Sequence, residues 1–205
     1  MKKIFLSAIL LLSSIIIYAQ RKVIEYMGIP IDGTKSEMIR KLQAKGGEYI
    51  SAFDWVEMKN GNRTSYITIN TYNDKVWRLV ITPFGWPTSD EAKVKAHYND
   101  LCNMCEGPLY YPIREVLPIS DEENIAYEMK VHNKKYSIAC FSIPYDYMEL
   151  FWNDRDSLTS EQLNNITMRR CWSVIQLYED KPYVNPSYDI ISYLENMYNA
   201  PENYK

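Results

Sequence analysis

Cys102-Asn103-Met104-Cys105 is a Cys-x-x-Cys, the pattern in this chain to be tested first for chemistry. A Cys-x-x-Cys pair works as a redox couple when its first thiol opens a helix, whose N-terminus favours the thiolate. Here Val94, Tyr98, Leu101, Cys102 and Cys105 share one helical face, so the pair falls near a helix's C-terminal end. The dipole there disfavours a thiolate. Zinc would need two further ligands, and Cys140 and Cys171 stand on predicted strands without close ligand spacing. A structural role is the expectation for Cys102, Cys105, Cys140 and Cys171: a helix-to-sheet disulfide, or buried free thiols.

Other chemistry finds little support. His97 and His132 occur in no ligand motif and are expected at the surface. There is no Gly-x-Ser-x-Gly elbow. The carboxylates of Asp121-Glu122-Glu123, and of Asp154 and Asp156, fall in predicted turns. They could serve glycoside hydrolysis only if held in a cleft at a fixed separation. The stretch GIPIDGTK lacks the second glycine and Lys-Ser/Thr of a phosphate loop. No catalytic residue, metal ligand or cofactor is expected. Aromatic side chains supply the candidate contact surface: Tyr145, Tyr147, Phe151 and Trp152, joined by Trp86, Tyr110 and Tyr111. Tyr and Trp bury large areas while keeping a polar tip, which suits a protein interface. The same residues could instead fill the seam between two structural units, or stack on sugar rings.

These residues need a scaffold, and the stretch from Tyr26 to Gly47 organises it. Met27, Ile29 and Ile31 alternate with Gly28, Pro30 and Asp32, as in a short extended segment. Asp32-Gly33 turns the chain. Thr34 and Glu37 form a capping box. Met38, Ile39 and Leu42 share a helical face, and Gly46-Gly47 supplies a left-handed exit. A helix of about three turns is not stable alone and must dock on an apolar surface.

Strands are predicted at 51–58, 65–72 and 76–82, joined by turns at 59–62 and 73–74. Thr88-Ser89-Asp90-Glu91 repeats the capping signal and starts a second helix, which Gly107-Pro108 ends. Further strands are predicted at 113–118, 125–131 and 136–143. The segment 143–152 has no clean period, and 159–164 is left between short helix and loop. Residues 170–178 read as a strand. Pro186 opens a last helix, with Ile190, Ile191, Leu194 and Met197 on one face. Residues 201–205 read as a frayed tail.

GIPIDGTKSEMIRKLQAKG resembles the opening of a large group of secreted gut-bacterial proteins, mostly uncharacterised. That group is similar to the beta-lactamase-inhibitor-protein-like fold, in which helix-plus-sheet units repeat in tandem. Tyr178-Glu179-Asp180-Lys181 resembles the group's last core strand. The resemblance implies a fold and a leaning towards protein binding, without an activity.

Residues 1–19 read as a signal peptide. Lys2 and Lys3 precede an apolar run at 4–17, and Ala19 is small enough for cleavage. The run is shorter than the roughly 18–20 residues of a membrane span, so the mature chain is expected to have no transmembrane segment. Losing Lys2 and Lys3 takes the formal charge from −3 to −5. That disfavours nucleic acid as a partner, which needs a basic face.

The expectation is an exported α+β chain, periplasmic, envelope-associated or extracellular. Residues 20–205 form one domain of antiparallel sheet with helices on one face. It holds αβββ-like repeat units at about 26–83 and 84–144 and a C-terminal section at 145–205. The function expected is a non-enzymatic protein-binding module, possibly inhibitor-like. Carbohydrate is a less favoured ligand. The alternatives are a thiol-based redox enzyme acting through Cys102 and Cys105, and an envelope assembly subunit.

Overall fold

The computed structural model describes residues 22–60, 63–83, 87–178 and 186–204. The expected leader at 1–19, Trp86, the centre of the 59–62 turn and the 179–181 motif lie outside the described residues.

Thr34 caps the first helix as its spacing predicts. Its Oγ1 accepts from Glu37 N at 3.3 Å, and Glu37 Oε2 accepts from Thr34 N at 2.7 Å. The helix, α1 (Lys35–Ala44), buries Met38 and Leu42 completely. Gly46 leaves it at φ +93°. At Gly47 an added Cβ would lie 2.6 Å from Met58 Sδ, so only glycine lets the chain turn this closely onto the sheet. Ahead of α1, residues 22–34 form a ribbon, β1 (Glu25–Tyr26) and β2 (Ile29–Pro30), rather than one extended segment. Met27 and Gly28 both take positive φ, the backbone that a two-residue hairpin requires.

The remaining strands make one antiparallel sheet. They are β3 (Glu48–Ile50), β4 (Trp55–Asn60), β5 (Arg63–Tyr72), β6 (Lys75–Thr82), β7 (Tyr110–Pro112), β8 (Ser137–Ser142), β9 (Arg169–Tyr178) and β10 (Ser187–Asn196). Their spatial order is β3-β4-β5-β6-β10-β9-β8-β7. Each half therefore runs from the edge inward, and the last strands of the halves, β6 and β10, pair at the centre. The chain is an α+β protein, with five α-helices among the described residues. The first half matches the expected helix-then-strands order, with a fourth short strand added. The second half takes β9 and β10 from the C-terminal section.

Helix α2 (Glu91–Cys105) and α3 (Ile125–Val131) join α1 over one face. All three bury apolar side chains in a single core with Ile67, Leu79, Ile175 and Ile190. Glu91 fastens this layer. It accepts from Tyr188 Oη on β10 at 2.8 Å and from Ile125 N at 3.2 Å, and pairs with Lys95 at 3.3 Å. The N-terminal ribbon is tied to the sheet centre by Asn196, which donates to Ile31 O at 2.8 Å. Asn199 adds bonds to Asp32 and to Val76 O, each 2.9 Å. Helices α4 (Tyr145–Asn153) and α5 (Ser160–Thr167) lie between β8 and β9 in sequence and pack near that end of the sheet.

Five sequence expectations are corrected. Thr88 does not cap α2; Asp90 does, accepting from Lys93 N at 3.0 Å, while Thr88 bridges to Tyr188. The stretch 125–131 is helix α3 rather than a strand. Asn124 caps it, and Tyr127 and Val131, half of the supposed inward row, are exposed. No strand forms at 113–118; the strand there, β7, ends at Pro112. The stretch 186–197 is not a helix but the central strand β10, whose apolar residues serve both faces. The tail is not frayed throughout. Residues Glu202–Tyr204 make a short 3₁₀ turn, and Tyr204 packs on Trp77 with ring centroids 4.9 Å apart. The unresolved readings also settle: 143–152 contains α4, and Thr159 with Gln162 forms the capping box of α5.

Candidate functional site

Alternation along each strand sends one set of side chains into the helix-covered core and the other to the opposite face. On that outer face the register aligns Trp55, Thr68, Val80, Tyr193, Trp172 and Ala139 in one row across β4, β5, β6, β10, β9 and β8. All six are half-buried. Trp172 and Tyr193 stack face to face, with centroids 3.8 Å apart and planes 7° from parallel. At the other end Trp55 stacks on Phe53 at 4.5 Å and meets the edge of Tyr66 at 4.9 Å. Trp55 Nε1 is buried without an acceptor.

Arg78 and Glu195 occupy opposed positions on the same face, one row over. The guanidinium lies 4.0 Å from the Trp77 ring centre and 4.9 Å from that of Tyr204. The Arg170–Phe141 pair continues this row across β9 and β8. Beside it is a cavity of about 540 Å³ bordered by Ile113, Arg114, Phe141, Arg170 and Trp172. A second cavity, about 490 Å³, opens near the N-terminal ribbon. Buried Arg169 donates there to Ser142 O at 3.0 Å and Val23 O at 2.7 Å. Its charges are mixed, since Lys22 and Asp146 pair with each other and Glu25 lines the same space. Burial lowers the pKa of Arg169, because the charged form loses water.

The sequence-derived aromatic set is only partly brought together. Tyr111, Phe151 and Trp152 make one ring cluster, with centroids 5.3–6.3 Å apart. Tyr147 packs against the same cluster. Phe151 is buried, whereas Trp152 is half exposed and donates through Nε1 to Pro108 O at 2.8 Å. Tyr145 stands out at 80% exposure. Tyr110 faces the opposite side of the sheet, and burial pushes its hydroxyl up to about 12. These residues gather at the β7–β8 edge, not at the β6–β10 junction of the halves. Trp55, Trp172, Tyr193 and the arginines were missed. The alternation of Arg170, Trp172 and Val174 was a readable signal, but Tyr193 was hidden by the helical reading of its segment.

The four cysteines are free thiols and all are buried. Cys140 and Cys171 are cross-strand partners, and α2 lays Cys105 over them. Cys105 is raised first by its hydrogen bond to Cys140 and then by burial. Cys140 gains thiolate character from the Cys105 bond, but its own bond to Cys171 and burial outweigh that and raise it. Burial pushes Cys102 up to about 11. Among the described residues no group of three or more His, Cys, Asp or Glu is placed to hold a metal ion. His132 is exposed, as expected, and its Nδ1 lies 2.8 Å from Glu128 Oε2; His97 is half-buried. Glu123 is held by Lys134 at 2.5 Å, and Asp154 accepts from Ser157, so these carboxylates stabilise turns.

Fold and site together define an α+β protein with one sheet face covered by α1, α2 and α3 and the other carrying aromatic side chains, its Tyr111–Phe141 corner packed against α4 and α5. Compared with family models, with curated proteins and with solved structures, the chain matches none. No helix among the described residues is long and apolar enough to cross a membrane.

Proposed function

We propose that the chain is an exported, non-enzymatic module that binds a protein partner across the outer face of its sheet. The observation that carries this reading is the row through Trp55, Val80, Tyr193 and Trp172, half accessible while the opposite face holds α1, α2 and α3. Stacked aromatics on a sheet are rigid and amphipathic, so they contribute area at little cost in conformational freedom. The strand ladder beneath them fixes their spacing. The apolar run behind Lys2 and Lys3 supports export. The thiol alternative is disfavoured on physical grounds, because Cys102 and Cys105 are withdrawn from any external substrate and their thiolates are disfavoured.

Affinity capture from envelope and culture-supernatant fractions tests the proposal, using residues 20–205 as bait. One stoichiometric partner should be retained by the native chain and lost with Trp172→Ala/Tyr193→Ala, while Tyr145→Ala at the sheet edge has a smaller effect. Undiminished capture by a folded Trp172→Ala/Tyr193→Ala protein overturns it.

A further inference from the structure

Ala139 stands in the outer face of β8 among larger neighbours. Trp172 is its partner on β9, Phe141 follows two residues on, and Ile113 N closes the edge by donating to Ala139 O at 2.8 Å. The small side chains of Ala139 and Ser137 leave a floor, and Ile113, Phe141, Trp172 and Val174 leave walls, around the cavity of about 540 Å³. That volume lies within the roughly 300–1,000 Å³ common for small-molecule sites.

Charge at this cavity is weighted towards arginine. Arg114 and Arg170 both line it. Arg170 Nη1 donates to the Tyr204 carbonyl at 3.4 Å. Glu195 also borders the space, but Arg78 neutralises it from 2.6 Å. Two guanidinium groups therefore flank a largely apolar trough. Guanidinium matches a carboxylate in shape and donates to both of its oxygens.

We propose that this cavity binds a small amphipathic carboxylate, its apolar body against Trp172, Phe141, Ile113 and Val174 and its charge received by Arg114 and Arg170. A cation of the same shape is repelled, and a neutral isostere forgoes the charge-assisted bonds. The site shares Trp172 with the proposed partner surface, but the two tests are separable: absence of carboxylate binding leaves the capture result standing, and failed capture leaves the titration standing.

Isothermal titration of the chain with phenylacetate, phenylacetamide and phenethylamine tests the site. Phenylacetate should saturate one site, phenylacetamide should bind about tenfold more weakly, and phenethylamine should not bind. Arg114→Gln and Arg170→Gln should each weaken phenylacetate about fivefold to tenfold. Ala139→Leu, which fills the floor without touching charge, should abolish binding while circular dichroism and Tm hold. No saturation by phenylacetate, equal binding of the amide, or full affinity in a folded Ala139→Leu protein overturns the proposal. Should Ala139→Leu fail to fold, full affinity in Arg170→Gln overturns it instead.

Discussion

Glu195 Oε1 accepts from two nitrogens of Arg78, Nη2 at 2.6 Å and Nε at 2.8 Å, across the pairing of β6 with β10. The two side chains are only 11% and 5% exposed. Aromatic rings of Trp77, Tyr193 and Tyr204 surround the guanidinium. The two halves of the sheet thus meet through a charge pair largely removed from water. Truncating one partner strands the other. Glu195→Ala should cost about 3–5 kcal/mol in urea denaturation. Arg78→Met/Glu195→Leu should recover most of that loss, because no uncompensated charge remains. A loss below about 1 kcal/mol in Glu195→Ala would mean that water reaches the pair.

Asp189 should set a slope of stability with pH. It is buried on β10 with Oδ1 unpaired, and burial raises its carboxyl from 3.8 to about 6. The unfolded chain ionises first as pH rises, so this group stabilises the fold least above pH 6. Its contribution falls from about pH 4 to about pH 6 and is flat beyond. Glu37 and Asp54 have lowered pKa values and act in the opposite sense, Glu37 through its bonds to Thr34 and Asp54 through Lys35. The difference between wild type and Asp189→Asn therefore isolates the effect. The variant should be more stable at pH 7.5 by roughly 1–3 kcal/mol, with the gain shrinking towards pH 4. A gain independent of pH contradicts the assignment.

Much of the first half was legible, because local signals and tertiary needs agree there. Thr34 and Glu37 cap, Met38 and Leu42 face the sheet, and Asn73-Asp74 adopts the positive φ values of a tight hairpin turn. The second half misled where one pattern fits two periods. Ile125, Tyr127, Met129 and Val131 alternate, but seven residues also make two helical turns, and the Asn124 cap decides for helix. Ile190, Ile191 and Leu194 fit a helical face only because a central strand carries apolar residues on both sides. The outer aromatic row needed the strand register, which joins residues as distant in sequence as Trp55 and Trp172. Arg114 beside Arg170 depends on the same long-range pairing.

Thiol chemistry gives a direct check of the inner face. Cys102 and Cys105 are fully buried, and Cys140 and Cys171 nearly so. Iodoacetamide should modify none of the four in the native protein over an hour at pH 8, and all four in 6 M guanidinium, read by intact mass. Rapid native labelling of Cys102 or Cys105 would show that α2 leaves the sheet readily and would restore the redox reading.

Native-state hydrogen exchange is the most direct test of the claim that β6 and β10 join both halves into one sheet. Amides of β6 and β10 should exchange only through global unfolding, at the free energy measured by urea denaturation. Both halves should share that limit. Exchange of Ile190–Leu194 at a much lower free energy, or separate limits for the two halves, would contradict the account.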